Sequence, residues 1–271
     1  MDTGVDSLAH KIVAAYNRLH FAHATFLPAL SICRLTPDRR LLVAVAGRPG
    51  SGKSTLAYPL ADRVNELILG RPVAHPAAID GETAVAAPNA ALGTGDEVAI
   101  CVGQDGWHYT RQQLDEFPDP KLAHWRRGAA FTFDLPAYSA FIDALRIPLL
   151  PTPPPAIPFP TFDHKLKDPR LSPVPVTAHH RIVIVEGLYT LLSEPGWCEC
   201  AAQMDMRVWV EVPRDVVLRR VLKRNMQAGI VTDPETARLR VDQSDMANGD
   251  DVYAYRYLPT DTIYPEDHPQ Y

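Results

Sequence analysis

The sequence predicts an α/β fold, a mostly parallel sheet sandwiched between layers of helices, and three observations predict it. Leu41 to Ala46 (LLVAVA) is an apolar run of strand length closing on glycine. Leu56, Leu60, Val64, Leu67 and Ile68 recur at helical spacing just beyond it. Between them lies Gly47-Arg48-Pro49-Gly50-Ser51-Gly52-Lys53-Ser54-Thr55, a complete G-x-x-x-x-G-K-[ST] phosphate-binding loop. Its glycines let successive backbone N–H groups turn inward onto phosphate oxygens, and the helix N-terminus adds about half a positive charge. Gly47, Gly50, Ser51, Gly52 and Thr55 build the predicted cradle, with Lys53 directed at the β- and γ-phosphates and the Ser54 hydroxyl at Mg²⁺.

The 271 residues are enough for one full core, with 46% hydrophobic and 22% charged residues as in an ordinary globular chain. We therefore expect a single domain over 1–271. A net charge of −5 argues against a nucleic-acid backbone as partner. No apolar run reaches the ~18 residues of a membrane helix, and the N-terminus is not signal-like. Cys33, Cys101, Cys198 and Cys200 form no C-x-x-C pair, so reduced structural thiols in a cytoplasmic protein are expected.

Taken in order, Leu8, Ile12, Val13, Tyr16 and Leu19 share one face of an amphipathic helix in an N-terminal extension, residues 1–36. The helix after the loop runs to about Leu69 and contains Pro59, which removes a backbone donor and predicts a kink. Residues 71–97 read as a long loop insertion. Val98–Val102 is a second buried strand and delivers Gln104-Asp105-Gly106-Trp107-His108. In open parallel sheets ligands sit off the carboxyl ends of strands, which places Asp105 in catalytic position. Leu114–Trp125 reads as polar and irregular. Arg126-Arg127-Gly128 through Phe133-Asp134 follows, with Asp134 an N-cap for a helix through Arg146. Residues 147–175 are proline-dense and read as a rigid connection. Embedded in it is a polar loop cluster containing Asp163, His164 and Lys167. Arg181–Glu186 is a third strand, ending in an acid suited to Mg²⁺. Val208–Val212 is a fourth.

Pro213 opens a helix bearing Arg214, Arg219, Arg220, Lys223 and Arg224, and Gly229 suits its C-terminus. Arg220 and Arg224 lie on one face and suit a lid over the transferring phosphoryl group; the lid and the next helix occupy 213–250. Thr232-Asp233-Pro234-Glu235 reads as a capping box, and Thr262–Tyr264 as a weak last strand.

In this order the motifs resemble the P-loop small-molecule kinases of the uridine kinase, pantothenate kinase and phosphoribulokinase superfamily, and in particular its nucleoside/nucleotide kinase-like branch. The resemblance covers residues 40–250 and implies the P-loop NTPase three-layer sandwich with an arginine-bearing lid helix. It implies ATP and Mg²⁺ as cofactors, and γ-phosphoryl transfer to a hydroxyl of a small metabolite such as a nucleoside, a pantothenate-like molecule or a sugar. Asp105 is then the base and, with Ser54 and Glu186, a metal-associated group. Lys53, Arg220 and Arg224 stabilise charge, and Trp107, His108, Arg127, Asp134, Asp163, His164 and Lys167 are the candidate acceptor contacts. The expected state is a monomer or homodimer, with neither nucleic acid nor membrane as partner. Two departures fall on the acceptor side. Phe162-Asp163-His164 stands where pantothenate kinases have aromatic-Ser-His and uridine kinases Tyr-Asp-Phe, and Gly128-Ala129-Ala130 stands where many relatives carry a proline. The acceptor's identity is therefore not carried over. The rival reading is a regulatory or assembly ATPase, which leaves residues 126–134 idle. A GTP switch lacks its N-K-x-D and D-x-x-G motifs.

Overall fold

A computed structural model of the chain describes residues 3–24, 38–72, 95–227 and 234–265. Five parallel strands form one sheet in the order β2-β5-β1-β6-β7. They are β1 (Leu41–Gly47), β2 (Ala99–Gly103), β5 (Ile182–Glu186), β6 (Met206–Val210) and β7 (Asp261–Ile263). A separate antiparallel hairpin joins β3 (Pro160–Asp163) to β4 (Asp168–Leu171).

Every residue of β1 is buried, as an unbroken apolar strand in the middle of a parallel sheet must be. Its two-residue period divides the core. Leu42, Ala44 and Ala46 pack with Tyr138 and Ile142 of α5 (Leu135–Leu145) and Trp197 of α6 (Trp197–Ala202). Leu41, Val43 and Val45 pack on the other face, with Leu8 and Ile12 of α1 (Thr3–Ala24), Leu60 and Val64 of α2 (Lys53–Leu69), and Val217 of α7 (Arg214–Gln227). That is the three-layer sandwich. The edge strand β2 is held by Asn65 of α2, whose amide donates to Ala99 O at 2.9 Å and accepts from the N–H groups of Val98 and Ala99 at 2.9 and 2.8 Å.

Several local expectations need correction. The stretch read as irregular contains two short helices, α3 (Arg111–Leu114) and α4 (Pro120–Trp125), each closed by its own N-cap, Thr110 and Asp119. The proline-dense connection contains the β3–β4 hairpin, so Asp163, His164 and Lys167 belong to the hairpin end and its turn. Pro213 lies one residue before α7 instead of opening it, and its carbonyl accepts from Val216 and Val217. Residues 198–200 fall in or beside α6, which no sequence signal announced. Pro59 does not end α2. It lies on the exposed face of the helix, where water can reach the Thr55 carbonyl that loses its donor. The last strand is real, at Asp261–Ile263. Gly229, Thr232 and Asp233 lie outside the described residues, as do Cys33 and residues 73–94 of the 71–97 insertion. After α8 (Pro234–Arg240), a π-helical turn (Val241–Met246) runs into α9 (Ala247–Ala254). Cys101, Cys198 and Cys200 are free thiols. Among the described residues no helix is long and apolar enough to cross a membrane.

Candidate active site

The parallel sheet brings the carboxyl ends of β1, β2, β5 and β6 to one edge, and the site is built there. From β1 the chain turns through the phosphate loop, with Gly50 and Gly52 at φ +77° and +84°, a left-handed conformation that glycine adopts freely. Gly47 is needed for a different reason. A Cβ there would stand 2.9 Å from Val210 O and 2.5 Å from Ser51 Oγ. The Ser51 hydroxyl is buried and has no hydrogen-bond partner among the described residues. Gly52 gives α2 no side-chain cap and its first turn carries no acid, whereas α5 is capped by Asp134, which accepts from Ala137 N at 3.0 Å. Uncapped N–H groups, left-handed glycines and the adjacent Lys53 together fit a polyphosphate.

Ser54, exposed in the first turn of α2, donates from Oγ to Glu186 Oε2 at 3.1 Å. Glu186 is the buried last residue of β5, in register with Val45 and Gly103. Hydroxyl and carboxylate oxygens are the donors Mg²⁺ selects, so this pair fits that ion. A second ligand cluster, Glu97, His179 and His180, is imidazole-rich and lies before the starts of β2 and β5, at the opposite edge. It does not match the same ion.

Asp105 follows β2 in a 3₁₀ turn, Gln104–Trp107, and its side chain is exposed at that edge. Beneath it the buried Gln104 Oε1 accepts from Tyr189 N at 2.9 Å, fixing the turn against the chain that leaves β5. Trp107, an expected acceptor contact, is only 4% exposed and packs edge-on against Tyr138 with ring centroids 5.3 Å apart. Its first task is packing. His108 stacks on Phe133 at 3.9 Å, and its Nδ1 contacts Asp105 O at 2.8 Å. Burial lowers the His108 pKa against the raising effect of Asp105. His108, Tyr109, Thr110, Gln113, Asp134 and Phe141 help line a groove of about 450 Å³.

Arg127 is committed within the protein. It donates to Lys167 O at 2.5 Å, Tyr109 O at 2.9 Å and Asp168 Oδ1 at 2.8 Å. Arg111 takes the other Asp168 oxygen at 3.0 Å. Asp163 accepts from the N–H groups of Lys165 and Leu166 at 2.9 and 3.0 Å and pairs with Arg170 at 3.3 Å. These are turn-forming contacts. Lys167 adopts φ +57°, and exposed His164 stacks on Phe162 at 5.3 Å. The hairpin thus arrives as a strut fastened to the wall of the groove. Asp168 and Arg111 were missed as its fastenings, because sequence gives no sign of which acid a distant arginine will meet.

Of the two arginines expected in a lid, Arg220 donates to Gly50 O of the phosphate loop at 3.3 Å. Arg224 is 58% exposed and lies 3.6 Å from Asp245. Arg220 therefore touches the cradle, and Arg224 points to the π-turn. Arg48 of the loop was not singled out, yet it is buried. Its guanidinium stacks over Tyr253 at 3.8 Å, with Asp250 at 3.3 Å and Glu211 at 3.6 Å.

No family model matches the chain. Known proteins do. The ATP-dependent kinase-like protein notR' of Aspergillus versicolor is 38% identical over 161 residues, 59% of this chain and 92% of that protein. A Schizosaccharomyces pombe protein named provisionally as uridine kinase C227.14 is 30% identical over 214 residues, 79% of this chain and 78% of that one. The crystal structure of YFH7 from Saccharomyces cerevisiae matches with a TM-score of 0.71 over 97% of this chain and 99% of that chain, at 22% identity, a likeness of fold alone. The cradle geometry, the sheet order and these two sequence relatives agree: the chain belongs to the ATP-dependent, uridine kinase-like P-loop kinases.

Proposed function

We propose that this protein transfers the γ-phosphoryl group of ATP to a hydroxyl of a small, polar metabolite. One observation carries the reading: the exposed Asp105 carboxylate stands on the same sheet edge as the phosphate cradle and the Ser54–Glu186 pair. A hydrolase would have no use for the groove lined by Gly106 to Thr110, the residues that follow Asp105.

In the proposed reaction the cradle and Lys53 hold the triphosphate. Asp105 accepts a hydrogen bond from the acceptor hydroxyl and takes its proton as the oxygen attacks the γ-phosphorus. The bond to the β–γ bridging oxygen breaks and ADP leaves. Ser54 and Glu186 would hold Mg²⁺, which would supply neutralisation of the triphosphate's charge. Arg220, already against the cradle, meets charge on the equatorial oxygens. Asp134, His108, Thr110 and Gln113 offer polar contacts to the acceptor, which suits a hydroxyl-rich molecule of nucleoside, pantothenate or sugar type. We assign Asp163 and Lys167 to shaping the hairpin turn.

Asp105→Asn is expected to keep ATP binding and to lower acceptor-dependent ADP release by about 10²–10⁴-fold, the worth of a positioned base. Calorimetry and a coupled ADP assay over nucleosides, pantothenate, glycerate and sugars would check both. ADP release unchanged by every acceptor would favour the hydrolase.

A further inference from the structure

Arg126 and Arg127 are neighbours with opposite fates. Arg127 is consumed by two carbonyls and Asp168. Arg126 makes one side-chain hydrogen bond among the described residues, from Nη2 to Asn248 Oδ1 at 2.9 Å; its buried Nε, like that of Arg127, has no partner among them. No carboxylate is paired with it among those residues. Its place is set by geometry: its partner Asn248 adjoins Gly249, which abuts the phosphate loop, and Gly128, two residues on, is fixed by the Tyr189 hydroxyl at 2.8 Å.

Asn248 is 5% exposed, in the first turn of α9. The nine-residue span around it reaches both the arginine helix and the phosphate loop. Asp245 takes Asn225 of α7 at 3.1 Å and Arg224 at 3.6 Å. Gly249 abuts the phosphate loop so closely that a Cβ would stand 2.8 Å from Pro49 Cδ. Asp250 binds Arg48 at 3.3 Å and Arg214 at 2.9 Å, and Tyr253 underlies Arg48. An acid at position 248 would neutralise Arg126. An amide orients it and leaves its charge intact.

We infer that Asn248 is a positioning residue that holds Arg126 beside the phosphate loop as an unspent cation for the phosphoryl group in transfer. The span Asp245–Tyr253 ties that cation to the cradle and to the arginine helix. This rests on the phosphotransferase reading above.

A double-mutant cycle tests it. Arg126→Ala is expected to lower kcat by about 10²–10³-fold, as for loss of one charge-stabilising donor. Asn248→Ala is expected to lower it by about 10–100-fold, as for loss of a supporting partner, with the KM for ATP within about threefold of wild type. The double variant should be no slower than Arg126→Ala alone, because the two act as one unit. Asn248→Asp should keep the bond yet lose rate. Additive losses, or wild-type kcat in both Asn248→Ala and the milder Asn248→Ser, would overturn the inference. A second readout needs no turnover: the ¹⁵N-edited Nε–H resonance of Arg126, assigned with Arg126→Lys. It should be sharp in wild type and Asn248→Asp and broadened in Asn248→Ala; an unchanged signal in Asn248→Ala would sink the positioning role. Absence of acceptor-dependent ADP release in wild type would instead defeat the phosphotransferase reading, leaving the resonance to judge Asn248.

Discussion

Asp168 shows how one side chain can fasten a whole wall. Burial pushes its carboxyl pKa up, but the Arg111 amide and the Arg127 and Arg111 guanidinium groups outweigh this and hold it below the ordinary carboxylate value. A depressed carboxyl pKa contributes stability that is present above the unfolded value of 3.8 and is lost as pH falls through the lower folded value. The fastening should therefore persist throughout neutral and mildly acidic conditions. Asp168→Asn is expected to loosen the hairpin at all of these pH values, speeding tryptic cleavage at Lys165 and Lys167 and raising acceptor KM by roughly tenfold, about 1.4 kcal/mol. Unchanged proteolysis would show the hairpin is held otherwise. Arg127 was legible in the sequence as a candidate cation, but its partner 41 residues away was not. Local sequence gives the chemistry of a side chain, whereas tertiary contact decides whether that chemistry is already spent. For the same reason Arg126, passed over beside its neighbour, emerges as the available charge.

Among elements, the turn after β2 and the hairpin form a mated pair. A Cβ on Gly106 would fall inside the contact distance of the Pro160 carbonyl and 2.9 Å from Thr161 N. Backbone atoms cannot swing aside as a side-chain end can. Gly106→Ala is expected to cost about 1–3 kcal/mol as overpacking and to cut acceptor-dependent activity while ATP binding survives. Chemical denaturation together with calorimetry would separate the two effects. Sequence placed this glycine in the motif after the second strand, but the approach of β3 was hidden because prolines masked the strand alternation around 160–171. The elements of the donor side were easier to read. An apolar run, a glycine loop and a 3.6-residue period are each local, so β1, the cradle and α2 were visible before any contact was known. Strand order was not, since β5 inserts between β1 and β2 from far along the chain.

Across the whole molecule, the two edges of the sheet divide the work. The carboxyl edge carries the cradle and the acids. The other edge is secured by Arg40, fully buried, whose guanidinium donates to the carbonyls of His180, Leu145 and Thr177 at 3.2, 3.2 and 3.3 Å. Burial, reinforced by Arg181, pushes its pKa down to about 10, so it stays charged at neutral pH. Asp205 adds to this edge, pairing with Arg39 at 2.8 Å and Arg146 at 3.0 Å and accepting from Leu42 N at 2.8 Å. Arg40→Met is expected to lower stability by about 2–4 kcal/mol, since three buried carbonyls lose their donors. The dissociation constant for ATP, measured well below the new melting temperature, should stay as it was. Weakened nucleotide binding at full foldedness would mean that the edges are coupled.

The stacking of Arg48 on Tyr253 joins the most recognisable nine residues of the chain to a helix more than two hundred positions downstream. A truncation that removed residues from 245 onward would keep the phosphate loop and every motif up to the arginine helix. Its product is expected to grip nucleotide poorly, because Asp250 and Tyr253, which anchor Arg48, would be gone.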